Sequence, residues 1–291
     1  MLRLVVPKGS LERQTFELFD AADLSILRSS EVDYRGTIDD TRIADVRVLR
    51  PQEIPLYVAR GLFDVGITGR DWIAETGADV VSLGPLRYSK MTERPVQIVL
   101  AVHESSPVRS TADLPRGARV ATEYPNLTAK YLGTHGVDAQ VLLSYGATEA
   151  KVPEIADAVV EITETGRALH AAGLRVIDVV LESYPELIAN RDSYADAAMA
   201  RAMGEIMTLL QGALEARANV LVKLNVSKSE LDAALAILPA MKAPTVSELS
   251  GGRGYAIETV IKKTAINVLL PALKGAGATD ILEISLSKIV H

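Results

Sequence analysis

Short aliphatic runs, each closed by Gly or Pro and followed by a stretch with helical spacing, recur through the first 190 residues: LRLVVP, DVRVLRP, FDVGIT, VQIVLAVH, ARVAT, AQVLLSYG and AVVEIT. Runs of this length with little polar alternation suit strands covered on both faces, and the helical patterns between them supply the cover. Helices fit over Leu11 to Ala22, Glu53 to Gly61 and Leu127 to Thr134. The pattern predicts an α/β protein with open sheets, whose ligands lie beyond the carboxyl ends of the strands. Composition agrees, with 48 % apolar but only 4 % aromatic residues. At 291 residues the chain exceeds the roughly 100–150 of a single domain, so two or three domains are expected.

The pattern changes near residue 194. In SYADAAMARAMGEIMTLLQGALEARANV, Met199, Met203, Ile206, Leu210 and Leu214 fall at helical spacing and predict one long amphipathic helix linking domains. Beyond it the expected order is strand (Val220 to Val226), helix (Ser229 to Leu238), strand (Pro244 to Leu249), strand (Tyr255 to Lys262), helix (Ala265 to Gly275) and strand (Asp280 to Ile289). That βαββαβ order is ferredoxin-like.

Several function classes are disfavoured. A net charge of −6 with no Lys/Arg run argues against a nucleic-acid or membrane-surface role, and points to small-molecule partners. With no Cys there is no disulfide framework and no thiolate nucleophile, which suits a reducing compartment. The start MLRLVVPKGSL is only briefly apolar, and no run is long enough to span a bilayer, so the expected location is cytoplasmic. His103, His135, His170 and His291 are too dispersed to predict a structural metal, and SGGRGYA reads as a hairpin loop.

The chemistry concentrates in DAVVEITETGRALHAAG, residues 157 to 173. Val159, Val160 and Ile162 predict a buried strand, and Gly173 a helix stop, so a helix begins close to Gly166. Backbone N–H groups at such a turn can hold a phosphate, with Thr165 and Arg167 as further donors. Glu161 and Glu164 stand beside that anion seat, and carboxylates accept hydrogen bonds from sugar hydroxyls and stabilise a cationic sugar carbon. A phosphorylated ribose meets both needs, while an ordinary βα turn with solvated acids is the plain alternative.

PKGSL, DVGITGRDW, ATEYPNLTAKYL and DAVVEITETGRAL, in this order, resemble long-form ATP phosphoribosyltransferases, the first enzymes of histidine biosynthesis. The resemblance runs from residue 1 to residue 290 and implies a two-lobed, periplasmic-binding-protein-like catalytic core with a C-terminal regulatory domain. Its implied boundaries are 1–90 with 180–210 for lobe I, 91–179 for lobe II and 211–291 for the regulatory domain. It implies that N1 of the ATP adenine displaces pyrophosphate from C1 of phosphoribosyl pyrophosphate, with Mg²⁺ on the phosphates and metal ligands left unassigned. Carried over by residue, the 5-phosphate lies on Glu164, Thr165, Gly166, Arg167 and Ala168, with Asp157 and Glu161 facing the ribose hydroxyls. Lys8, Gly9, Arg50, Gly69, Asp71 and Tyr124 fall on the nucleotide side, with helix capping the plain alternative for Asp71 and compatible with that role. Asn225 and Thr245 are implied for a pocket that binds inhibitory L-histidine, and the homo-oligomer ranges from dimer to hexamer. Ala168, Ser10 and Ala129 stand where the family often has a hydroxyl or basic residue, which leaves the cations that hold ATP open. A non-catalytic solute-binding module is the rival, since it shares the two-lobed pattern.

Overall fold

Leu4, Val5 and Val6 are at most 1 % exposed because β1 (Leu2–Pro7), the first aliphatic run, lies inside a sheet. The computed structural model describes residues 1–88, 95–239 and 243–291. After β1 come α1 (Glu12–Ala21), β2 (Arg35–Gly36), β3 (Ile43–Leu49), α2 (Ile54–Ala59), β4 (Val65–Gly69), α3 (Arg70–Thr76) and β5 (Val81–Pro85). A second series follows: β6 (Val96–His103), β7 (Ala118–Thr122), α4 (Pro125–Thr134), β8 (Ala139–Leu143), β9 (Ala158–Thr163), α5 (Arg167–Ala171) and β10 (Leu174–Ser183). Then β11 (Pro185–Ala189) returns to the first series, inserting between β4 and β5.

Two sheets result, ordered β2-β3-β1-β4-β11-β5 and β10-β6-β9-β7-β8. Both are mixed, with parallel and antiparallel neighbours in each. β1 runs parallel to β3 and β4, and β7 parallel to β8 and β9, whereas β11 is antiparallel to β4 and β5, and β6 to β9 and β10. β10 is an edge strand buried only at its two ends and carrying two register shifts, so LRVIDVVLES lacks the unbroken aliphatic character of a central strand.

The chain divides by contacts into Met1–Met207 and Thr208–His291. The single helix expected from residue 193 onward is two: α6 (Arg191–Ala195) and α7 (Ala197–Arg217). Asp196 separates them in an extended conformation, and its Oδ1 accepts the N–H groups of Ala198 and Met199 at 2.9 Å, capping α7.

The second unit holds β12 (Asn219–Val226), α8 (Leu231–Ile237), β13 (Thr245–Glu248), β14 (Tyr255–Lys262), α9 (Lys263–Gly275) and β15 (Thr279–Ser285). The sheet order β13-β14-β12-β15, antiparallel throughout, is the ferredoxin-like arrangement. Val220, Val222, Leu224 and Val226 turn one sheet face onto Ala234, Ile266, Leu269 and Leu273 of the helices. The last strand stops at Ser285, short of the expected Ile289.

Candidate functional site

β9 ends at Thr163, and the chain turns through Glu164, Thr165 and Gly166 into α5. Gly166 has φ +73°, a left-handed conformation that costs glycine nothing. Its N–H donates to Thr163 Oγ1 at 2.8 Å, and its carbonyl accepts from His170 N–H at 3.0 Å. Thr163 thus shapes the turn and takes one N–H that the sequence assigned to phosphate. Arg167 and Ala168 lie in the first turn of α5, where N–H groups have no carbonyl within the helix to reach. Because α5 has only five residues, its aligned dipole is short, and these local N–H groups outweigh any macrodipole. Thr165, Arg167 and Ala168 are exposed.

Glu161 is half-buried on β9. Burial pushes its carboxyl above the ordinary range, and the nearby Glu123 and Glu149 push it further. The Ile162 N–H, 3.0 Å from Glu161 Oε1, and the Thr148 hydroxyl oppose that rise. Asp157 does not join Glu161. It precedes the strand, about 13 Å away at ~3.3 Å per residue, at the amino end of β9. There it accepts from Arg119 Nη2 at 2.8 Å, Arg119 Nε at 3.2 Å and the Arg119 N–H at 2.8 Å, and these bonds hold its carboxyl below the usual range.

Glu164 borders a cleft between the two sheets, lined from the second sheet by Ile162 and Thr163 and from the first by Ser10, Pro51 and Gly69. Opposite it, Lys8, Gly9 and Arg50 do come together. They follow adjacent parallel strands, with Lys8 N–H donating to Leu49 O at 2.7 Å, and line one pocket with Tyr34 and Gln52. Lys8 Nζ sits 4.0 Å from the centroid of the Tyr34 ring, an aromatic contact no sequence motif signalled.

Asp71 lines the same cleft as Glu164, beside Gly69, while Tyr124 is not part of that lining and meets Asp71 from the core. Asp71 is 3 % and Tyr124 2 % exposed. The Tyr124 hydroxyl donates to Asp71 Oδ2 at 2.9 Å, Ser183 Oγ donates to Asp71 Oδ1 at 2.7 Å, and the Tyr124 ring packs at 4.6 Å against Trp72. Burial raises the Asp71 carboxyl, and burial together with the Asp71 charge raises the Tyr124 phenol. Gly69 is required here, since a Cβ on it would lie 2.0 Å from Asp71 Oδ1.

Residues 50–212 match the family HisG: ATP phosphoribosyltransferase, and residues 216–288 match the HisG C-terminal domain. The ATP phosphoribosyltransferase of Pelotomaculum thermopropionicum is 46 % identical over 289 residues, 99 % of each chain. The chain belongs to the ATP phosphoribosyltransferase family. It is an enzyme of that class, and the C-terminal match makes it a long-form member. The ATP phosphoribosyltransferase of Chlorobium luteolum is 45 % identical over 290 residues, covering 100 % of this chain and 98 % of that one. Among solved structures, the ATP phosphoribosyl transferase (HisG:HisZ) complex from Thermotoga maritima contains a similar chain, with TM-score 0.58 and 25 % identity over 71 % of this chain and 98 % of that one.

In this long-form chain, Asn225 and Thr245 both lie on the sheet face turned away from α8 and α9, judged by register against the buried Leu224 and Ile257. Asn225 Nδ2 donates to Asp280 Oδ2 at 3.0 Å, and Thr245 is exposed on the edge strand β13. Among the described residues no helix is long and apolar enough to cross a membrane.

Proposed function

We propose that this enzyme joins ATP to phosphoribosyl pyrophosphate, forming N1-(5-phosphoribosyl)-ATP and pyrophosphate. The observation that carries this reading is the cleft itself: the Glu164 turn borders it from one sheet, while Ser10 and Pro51, chain neighbours of Gly9 and Arg50, border it from the other. The 5-phosphate rests on the N–H groups of Arg167 and Ala168, with the Thr165 hydroxyl and Arg167 guanidinium as further donors. Glu161 faces the ribose. Lys8, Gly9, Arg50 and Gly69 receive the nucleotide.

The adenine N1 lone pair forms the new bond to C1 as the bond from C1 to pyrophosphate breaks, the electron pair leaving with pyrophosphate. The nucleophile needs no strong base. The residues serve to align two polyanions and to offset the cationic charge that grows at C1, the role this reading gives to ionised Glu161. Mg²⁺ neutralises charge on the phosphates when bound. A cation carried on substrate phosphate oxygens and water needs few protein ligands.

The C-terminal unit then receives L-histidine near Asn225 and Thr245 as a feedback inhibitor, with assembly as a homo-oligomer, dimer to hexamer, in the cytoplasm. The test incubates the protein with ATP, phosphoribosyl pyrophosphate and Mg²⁺ and follows pyrophosphate and phosphoribosylated ATP, with and without L-histidine. Folded protein that binds both substrates without turnover would redirect the assignment to a binding module. Turnover indifferent to L-histidine would remove the inhibitory role.

A further inference from the structure

Two acids of α3, Asp71 and Glu75, are four residues apart and therefore share one helix face, yet both are buried, at 3 % and 8 % exposure. Buried carboxylates persist only where donors meet them. All their donors outside α3 itself lie far along the chain. Asp71 takes the Tyr124 hydroxyl and the Ser183 hydroxyl. Glu75 Oε2 takes the Leu127 N–H at 2.8 Å, Glu75 Oε1 the Asn126 N–H at 3.1 Å, and Asn126 Nδ2 returns to the Glu75 carbonyl at 3.2 Å.

α4 begins at Pro125 and has no cap from its own N-cap residue, Tyr124, so a carboxylate from the other lobe supplies the cap. Between the two acids, Trp72 packs against the core of the second sheet, alongside Val120, Tyr124 and Val160. Helix α3 follows β4 of the first sheet directly, with Gly69 as the junction. It is fastened to the second sheet's helix α4 and, through Ser183, to the end of β10, where the chain crosses back.

We propose that α3 is a bolt that fixes the aperture of the cleft, with Glu75 as its principal positioning residue and Asp71 as the second. The bolt sets how far the Glu164–Ala168 turn on one lobe stands from Lys8 and Arg50 on the other. Two-lobed binding proteins close on ligands by a hinge. This core instead keeps one aperture before and after substrates arrive, because opening it would strip donors from two buried carboxylates and pull Trp72 from its core. The consequence for transfer rests on the reaction proposed above; the fixed aperture does not.

The chain has no Cys, so nitroxide labels at Asp39→Cys and Gln140→Cys, exposed positions on the two lobes, report a single interlobe distance by pulsed electron resonance. The expected result is one narrow distance distribution, unchanged by ATP or phosphoribosyl pyrophosphate, that broadens when Glu75→Ala is added. Glu75→Gln keeps the volume and one acceptor oxygen, so it broadens the distribution less and keeps the test open if Glu75→Ala does not fold. In turnover, Glu75→Ala lowers kcat by about 10- to 100-fold with each KM changed less than about threefold, the signature of misaligned but bound substrates. A broad parent distribution, a shift on adding substrate, or a distribution indifferent to both substitutions overturns the bolt. An altered distance with unchanged kcat removes only the positioning role, and a parent without turnover touches the reaction alone.

Discussion

Gly166→Ala separates conformational cost from steric cost at the phosphoribosyl turn. A Cβ built on Gly166 meets nothing within 4 Å, so the added methyl displaces no neighbour. What remains is φ +73°, where an L-residue pays about 1–2 kcal/mol. That cost has two outlets. If the turn holds its shape, the folded state bears the strain, and Tm falls by roughly 2–4 °C per kcal/mol for a unit of this size. If the turn relaxes, the Gly166 N–H leaves Thr163 Oγ1, the Arg167 and Ala168 amides lose their aim, and the same 1–2 kcal/mol appears as a rise of about 5- to 30-fold in KM for phosphoribosyl pyrophosphate. Because α5 is only five residues long and the turn is largely exposed, relaxation should dominate. The assay pairs thermal melts with pyrophosphate release at saturating ATP and varied phosphoribosyl pyrophosphate. A variant with unchanged Tm and unchanged KM would refute the assignment of that turn to the sugar phosphate.

Gly66→Ala should behave oppositely: its Cβ would lie 2.7 Å from Val5 Cγ1 and 3.0 Å from Ile54 and Val58 Cγ2, so overpacking costs about 1–3 kcal/mol, visible as a lower Tm. Asp64 is 3 % exposed and tied to Arg3 at 2.7 and 2.9 Å and to Ser193 Oγ at 2.8 Å; Asp64→Asn should lose about 1–3 kcal/mol at neutral pH in denaturant melts. Burial alone would raise the Asp64 carboxyl, but the bonds from Arg3 and Ser193 hold it below its ordinary value. Its contribution is therefore present above the unfolded carboxylate pKa and lost as pH falls through the lower folded one, where parent and variant melts converge. Glu161, raised chiefly by burial, should place the acid limb of kcat/KM above the ordinary carboxylate range, activity appearing as the group ionises. Glu161→Gln should remove that limb and depress ribosyl transfer more than ATP binding; an unmoved limb assigns it elsewhere.

That Lys8 and Arg50 converge was legible in sequence because each directly follows an aliphatic strand, and parallel strand ends gather at one edge. Thr163 was findable in principle, lying three residues before Gly166, the spacing at which a hydroxyl can organise a turn. Asp157 shows where such reasoning stops. Strand alternation puts it on the same face as Glu161, but position along the strand, set by pairing with Arg119, leaves it at the far end.

Local pattern by itself determined that this is an α/β chain with a ferredoxin-like tail, and that a Thr-Gly turn closes a buried strand, because burial periodicity and left-handed glycine are written residue by residue. Tertiary structure alone decided that β10 and β11 run antiparallel and that Asp71 and Glu75 point away from solvent toward partners 53 and 51 residues downstream. Periodicity states which side of an element is buried. It carries no record of which distant donor will meet a carboxylate there, and that choice is made only when the two lobes pack.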